Sequence, residues 1–439
     1  MKILLVGNGG REHAIAAALS RSRLHPELIA YMSTLNPAIA ALSAKTQMGS
    51  MKTPESIADF AWQNRVDLAV VGPEEPLVHG AADALHRKGI PTVGPRQDLA
   101  RMEGDKTFLR EVVARWAPEA NPGFRVCHSS QDVRKALVEL GDVAVKPLGL
   151  TSGKGVRVMG IQLDTAADAE AYAVELINAQ GNVLLEEKLI GEEFSQIVFT
   201  DGIRMVPMPL VQDAKCAFNG DTGPMTGGMG TFSMPNHTLP FVPEDQLQQA
   251  RALLFKIIMG AQEQTGQRYH GVLYGQFMVT RNGPRIVETN VRLGDPEAIN
   301  LMALLKSDPV ETFMSATCGL PEVVEFENMA SVAKYLVPQG YPEKSERGEP
   351  VSIDMDMLRK AGLELILANG DPSSGDGRLA PTGSRFAALL ALRPELAAAE
   401  EAVESMLEQM ALPGLRHRSD IAKPGSLQAK ITRIQNLLN

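Results

Sequence analysis

Short apolar runs separated by longer amphipathic stretches fill the first hundred residues. Lys2–Val6, Leu28–Met32, Leu68–Val71 and Pro91–Val93 have the character of buried strands, and Glu12–Arg23, Pro54–Asn64 and His79–Lys88 have helical spacing. Strands alternating with helices predict a parallel sheet covered on both faces. Such sheets bind ligands beyond the carboxyl ends of their strands. The turns Gly7–Gly10, Gly72–Pro76 and Gly94–Pro95 all fall there.

From about Asp98 the pattern changes. Leu99–Ala114 reads as one helix. Val143–Lys146, Val156–Met159 and Val183–Glu187 read as strands around a helix at Ala166–Ala179, a small α+β unit with a glycine-rich turn at Gly149–Gly155. A larger α+β region follows, with strands at Phe194–Phe199, Met205–Val211, Leu273–Val279 and Arg285–Glu288 and a long helix at Glu244–Thr265. Beyond Gly319-Leu320-Pro321 the chain resumes with a strand at Ser331–Leu336, a Gly/Ser/Asp-rich loop at Asn369–Arg378 and a helix near Pro394–Met410. The expected domains are 1–100, 101–325 with a subdomain at about 120–190, and 326–439. There is no internal repeat.

Composition narrows the function. A net charge of −9 over 439 residues argues against a non-specific nucleic-acid binder, which needs a basic face. No apolar run approaches the roughly 18 residues of a membrane span, and Met1–Val6 runs into glycines as a strand does, not a leader peptide. Cys127, Cys216 and Cys318 lack metal-ligand spacing and suit reduced, mostly buried thiols. A cytoplasmic protein without nucleic-acid or membrane partners, a monomer or small homo-oligomer, is expected.

Five segments carry candidate chemistry. Gly7-Asn8-Gly9-Gly10-Arg11-Glu12 joins a strand to a helix and points backbone N–H groups at an anion. A dinucleotide fingerprint would need glycine at Glu12 and an acidic residue after the second strand, and neither is present, so a phosphate on a smaller ligand fits better. Gly149-Leu150-Thr151-Ser152-Gly153-Lys154-Gly155 is one residue too short for a P-loop and has Gly155 where Ser or Thr would stand. Placed between two strands and preceded by Lys146, it suits a hairpin lid over phosphates, or else a solvated turn. Glu288 and Asn290 alternate on one strand and share a face, a pair of hard oxygen ligands for a divalent ion, with Gln276 on the preceding strand as a weaker third. The glycine-rich stretch Asn219–Gly230 is either filler or a shaped binding wall. Arg292 can grip a carboxylate or phosphate, or pair with Asp295 or Glu297.

Taken together and in order, these segments resemble the phosphoribosylamine–glycine ligase family of the ATP-grasp superfamily. The resemblance runs through Val6–Ala14, Val71–Gly80, Glu103–Lys106, Lys146, Gly153–Val156, Leu185–Glu193, Gln212-Asp213, Gly220–Gly230 and Glu288–Glu297. It spans nearly the whole chain. The family usually has His at Ala214, Asn at Met225 and Phe at Thr289, and the segments around Tyr31 and Tyr274 look more like archaeal members.

The resemblance implies an ATP-grasp fold with an N-terminal parallel-sheet substrate domain, a lid and a small C-terminal domain. It implies that ATP, glycine and 5-phosphoribosylamine yield glycinamide ribonucleotide, ADP and phosphate through glycyl phosphate, with Mg²⁺ or Mn²⁺. A ligase for another amino acid or amine, or a silent nucleotide-binding homologue, stays open. Carried over residue by residue, Lys106, Lys146 and Lys154 hold phosphates, Glu186, Glu187, Lys188 and Leu189 line the adenine pocket, and Glu193 takes the ribose. Gln276, Glu288 and Asn290 take the metal. Arg292, Asp295 and Lys154 act on the reacting groups, with Gly294 in the same turn. Asn8, Gly9, Gly10, Pro73, Glu74, Asp213, Lys215 and Asp221 are assigned to the remaining substrates.

Overall fold

The computed structural model describes residues 1–149, 155–344, 346–372 and 377–439. At the N-terminus, β1 (Lys2–Val6), β2 (Glu27–Met32), β3 (Lys45–Met48), β4 (Leu68–Val71) and β5 (Thr92–Val93) form a sheet in the order β3-β2-β1-β4-β5. All its pairings are parallel. The order reverses between β1 and β4, so the turns at Gly7 and Gly72 flank one crevice. The predicted sheet is present, with one strand more than the apolar pattern shows. β3 (Lys-Thr-Gln-Met) is an exposed edge strand and has no apolar signal to read.

The middle of the chain holds two antiparallel sheets. One pairs Phe124–Cys127, Val183–Glu187, Val143–Lys146 and Arg157–Val158, with the helices Ser130–Leu140 and Ala166–Gln180 packed on it around a small core of its own. The other runs Met205–Pro207, Glu192–Thr200, Gly271–Val279, Arg285–Asn290, backed by the helix Glu244–Thr265. The expected long strand Met205–Val211 is only Met205–Pro207, because Pro207 and Pro209 cannot continue a ladder. The C-terminal sheet is built on Ala330–Pro338, Ala387–Arg393 and Leu363–Leu367. It also draws in Gln212–Asp213 and Gly230–Ser233 from the middle of the chain, so the segment that contains the glycine-rich stretch is stitched into it on either side.

Two further expectations are corrected. The single helix Leu99–Ala114 is two helices, Gln97–Gly104 and Lys106–Trp116. Asp105 adopts extended backbone between them, and its carboxylate caps the second through the N–H groups of Thr107 and Phe108. Of the cysteines expected to be mostly buried, Cys127 is, Cys216 is partly so, and Cys318 at a helix end is exposed. No helix is long and apolar enough to cross a membrane among the described residues.

Candidate active site

A cavity of about 450 Å³ lies where the two middle sheets face each other and meet the N-terminal crevice. The first sheet contributes Ala144, Lys146, Val158 and Glu186 to Leu189, and the second contributes Tyr274, Met278, Glu288 and Asn290. Arg11 and Glu74 enter from the N-terminal domain, Asp213 and Lys215 from just before the glycine-rich stretch, Met225 from within it, and Arg385 from the C-terminal domain. Most residues expected in the site from the sequence line this one space. Lys154, with most of the Gly149–Gly155 turn, lies outside the described residues.

Two of its lining cations, Lys106 and Lys146, are near enough to repel each other. The helix break sets Lys106 at the first position of the second helix, where its ammonium donates to the Gly149 carbonyl at 3.0 Å. Burial lowers its pKa and neighbouring Lys146 does so further, against the pull of Glu288. Lys146 ends its strand almost completely buried, its Nζ 2.6 Å from Glu186. Glu186 touches the cavity, but its carboxylate is already engaged: Arg110 grips it from behind at 2.5 and 3.0 Å. Arg110 also donates to the Ile286 and Val287 carbonyls, tying the first sheet to the strand that carries Glu288. Glu186 thus lines the cavity and at the same time ion-pairs with Lys146.

Across the cavity, Glu288 stands opposite Gln276 in the ladder and Asn290 opposite Tyr274, with a bulge just after Gln276. Gln276 is fully committed. Its amide donates to Glu193, while its oxygen accepts from Lys215 and from the Tyr274 hydroxyl. Lys215 Nζ also lies 3.6 Å from Glu288 and 3.8 Å from Glu193. Although burial works the other way, Lys215, with Lys146 and Lys106, holds the Glu288 carboxyl below the ordinary range. Asp213 is pushed up to about 7 by burial, with Glu297, Glu193 and Glu288 adding to it and Lys215 opposing.

Arg292 is paired with neither Asp295 nor Glu297. It lies between Glu103 at 2.8 Å and Glu74 at 3.3 Å, and also donates to Asn290 Oδ1. Burial pushes Glu103 up to about 7 despite Arg292, with Glu74 adding to the shift. Asp295 instead accepts from Tyr335 at 2.6 Å and from Arg385 at 3.0 Å. Arg385 also donates to the carbonyls of Gly227, Gly228 and Asp295, pinning the glycine-rich segment against the site. Sequence reasoning missed Tyr335 and Arg385. The Gly383-Ser384-Arg385 tripeptide is a local signal for Arg385, and Tyr335 has none in the sequence around it.

The N-terminal loop meets this cluster edge-on. The Gly9 N–H is bonded to Glu12 at 2.6 Å, and a Cβ on Gly7 or Gly72 would fall within 2.5 Å of the Glu12 side chain. Glu12 thus occupies the space that a dinucleotide fingerprint leaves to glycine. Gly10 lets Tyr335 approach, since a Cβ there would lie 2.1 Å from the tyrosine oxygen. Asn8 receives Ser33, and Pro73 leads into the short helix that begins with Glu74. Gly294 makes room for the Glu297 carboxylate. Asp221 does not line the cavity: it is half-exposed and paired with Arg418 at 2.9 Å and Lys430 at 3.5 Å.

For a metal, the donor set decides. No group of three His, Cys, Asp or Glu side chains could hold an ion by itself among the described residues. Glu288 and Asn290 offer two hard oxygens beside two lysines, which suits an ion that arrives on phosphates and takes its other ligands from them and from water.

Comparison with known proteins accounts for nearly the whole chain. Residues 1–103 match the N domain of phosphoribosylglycinamide synthetase, 104–298 its ATP-grasp (A) domain and 331–424 its C domain. The chain is 43% identical to the phosphoribosylamine–glycine ligase of Methanoregula boonei over 100% of both chains. It is 40% identical to that of Methanopyrus kandleri, covering 100% of this chain and 99% of the relative. Among solved structures, phosphoribosylamine–glycine ligase from Thermotoga maritima superposes with a TM-score of 0.79 at 24% identity, over 96% of this chain and 100% of that one. The biotin carboxylase domain of the Hydrogenobacter thermophilus 2-oxoglutarate carboxylase, solved with MgADP and bicarbonate, gives 0.69 at 16% identity over 99% and 93%. These two likenesses show the ATP-grasp fold.

Proposed function

The chain belongs to the phosphoribosylamine–glycine ligase family, and we propose that its central cavity is where ATP, glycine and 5-phosphoribosylamine are brought together. It is an ATP-dependent ligase that joins glycine in purine biosynthesis. The observation that carries the site reading is the convergence on one cavity of Lys106, Lys146, the Glu288–Asn290 pair and Arg292.

A glycine carboxylate resists attack by an amine until one of its oxygens becomes part of a leaving group. A carboxylate oxygen attacks the γ-phosphorus of ATP and the bond to ADP breaks, giving glycyl phosphate. The phosphoribosylamine nitrogen then attacks the acyl carbon, phosphate departs with that carboxylate oxygen, and the nitrogen loses a proton. No protein nucleophile is needed. Positioning and charge stabilisation supply the rate.

Lys106 and Lys146 offset charge on the phosphates, Lys146 being held to its place by Glu186 and Arg110. Glu187, Lys188 and Leu189 border the base, and Glu193 takes the ribose. Arg292 is already set between Glu74 and Glu103 and steadies the carboxylate as it becomes an acyl phosphate. Gly9, Gly10, Pro73 and Glu74 hold the phosphoribosylamine at the crevice, beside Asp295 and Gly294. Glu288 and Asn290 would hold Mg²⁺ or Mn²⁺, which offsets phosphate charge when bound. Lys154 adds a further positive charge for the phosphates, as the family resemblance implies.

The test is ADP release with each substrate omitted in turn, using glycine labelled with ¹⁸O in its carboxylate. Glycine-dependent turnover with ¹⁸O appearing in phosphate is expected. Turnover independent of glycine, or unlabelled phosphate, would overturn the reading.

A further inference from the structure

The Glu193–Gln276–Glu288 cluster already contains a cation. Lys215 hydrogen-bonds the Gln276 oxygen and lies 3.6 Å from Glu288 and 3.8 Å from Glu193. Among the ion pairs of the described residues, those two carboxylates have no other partner. The Gln276 oxygen, a candidate metal ligand, carries two donors, Lys215 and Tyr274, and has no lone pair left to offer. An ammonium and a divalent ion beside the same carboxylate repel each other, so binding of the ion at Glu288 favours departure of the ammonium.

Lys215 is built to be the one that leaves. Its backbone is fixed: the Lys215 carbonyl accepts from both the N–H and the hydroxyl of Thr226 at 2.8 Å. Its four-carbon stem is flexible and ends in a point charge, which can change partners without moving the chain. We propose that Lys215 is the resident counter-ion of the metal-ligand set. It keeps these ligands charge-balanced and closed to free divalent ions, and it yields when the ion arrives on nucleotide phosphates. The freed ammonium then faces the phosphoryl and carboxylate oxygens, so that loading with metal and nucleotide prepares the substrate side. Lys215 is a positioning residue in this scheme. The proposal rests on Glu288 being a metal ligand.

The test is Mn²⁺ binding to the full-length protein, followed by the electron paramagnetic resonance signal of free Mn²⁺, with and without ADP. Without nucleotide, Lys215→Met and Lys215→Gln should bind Mn²⁺ roughly tenfold or more tightly than the unaltered protein. Adding Glu288→Gln to Lys215→Met should abolish the gain. Equal or weaker binding by both single variants would overturn the role of Lys215. If Glu288→Gln alone leaves Mn²⁺ binding with ADP unchanged, it is the ligand assignment that fails. Should the lysine variants not fold, a crystal structure of the unaltered protein with Mn²⁺ and ADP decides. Lys215 is expected to have left Gln276; an ammonium still bonded there beside a metal on Glu288 would refute the proposal.

Discussion

Arg292 is held by two acids before any substrate arrives, and that arrangement is specific to a guanidinium. Its fork reaches Glu103, Glu74 and Asn290 at once, whereas an ammonium presents one point charge. Arg292→Lys should keep the fold but lower kcat/KM for glycine by about 10²- to 10³-fold, the usual effect of losing a preorganised donor to a developing charge. The KM for ATP should stay nearly constant, and steady-state kinetics in each substrate separates the two. Asp295 depends likewise on Tyr335 and Arg385. Tyr335→Phe removes one hydrogen bond to that carboxylate, worth about 1.5–3 kcal/mol, and should lower kcat by about tenfold. Arg385→Ala strips a part-buried carboxylate of its cation and should lower kcat by about 10²-fold or more. Equal losses in the two variants would mean that Asp295 is not held by charge. The sequence makes Arg292 legible because a Glu-x-Asn strand precedes it. Arg385 is not legible in the same way, because it is remote in sequence from everything it touches.

Local polar pattern misleads most where a helix is broken for a purpose. The run Leu99–Ala114 has continuous helical spacing, and nothing in its periodicity marks a stop. The break comes from Asp105, a side chain that competes for backbone N–H groups better than it continues a helix. It turns Lys106 toward Gly149 and the cavity. Asp105→Ala should therefore cost about 1 kcal/mol of stability as a lost cap, visible as a lower denaturation midpoint, and should also raise the KM for ATP. Asp105→Asn keeps the capping oxygen and should restore both. A stability loss without any change in the KM for ATP would separate the break from the site. Elsewhere period and structure agree. The helix Glu244–Thr265 matches its sequence reading residue for residue, since it is long, has acidic residues in its first turn and ends at a left-handed glycine.

At the scale of the molecule, the site is closed by docking the C-terminal domain onto the N-terminal helix. Tyr335 passes over Gly10, Arg385 reaches Asp295, and the strand Leu363–Leu367 hangs on two N-terminal side chains. His13 Nδ1 accepts the Leu367 N–H at 2.8 Å, and Asn36 donates to the Leu367 carbonyl at 3.0 Å. No pattern in the sequence joins residue 13 to residue 367; only the folded chain does. Burial lowers the His13 pKa to about 4 from an ordinary 6.5. Between those values the unfolded chain binds a proton that the folded chain refuses, so stability rises with pH across the window. The contribution is complete above about pH 6.5 and is lost as pH falls through about 4, where a protonated ring would aim a donor at the Leu367 N–H. Thermal unfolding followed from pH 7 to pH 4 should show the midpoint falling on acidification. His13→Asn, whose side-chain oxygen can accept the same N–H without titrating, should flatten that fall. Because Tyr335 and Arg385 travel with the same domain, kcat should decline over the same window in the unaltered protein and less in the variant. A variant whose midpoint and kcat fall as steeply as before would place the acid sensitivity elsewhere.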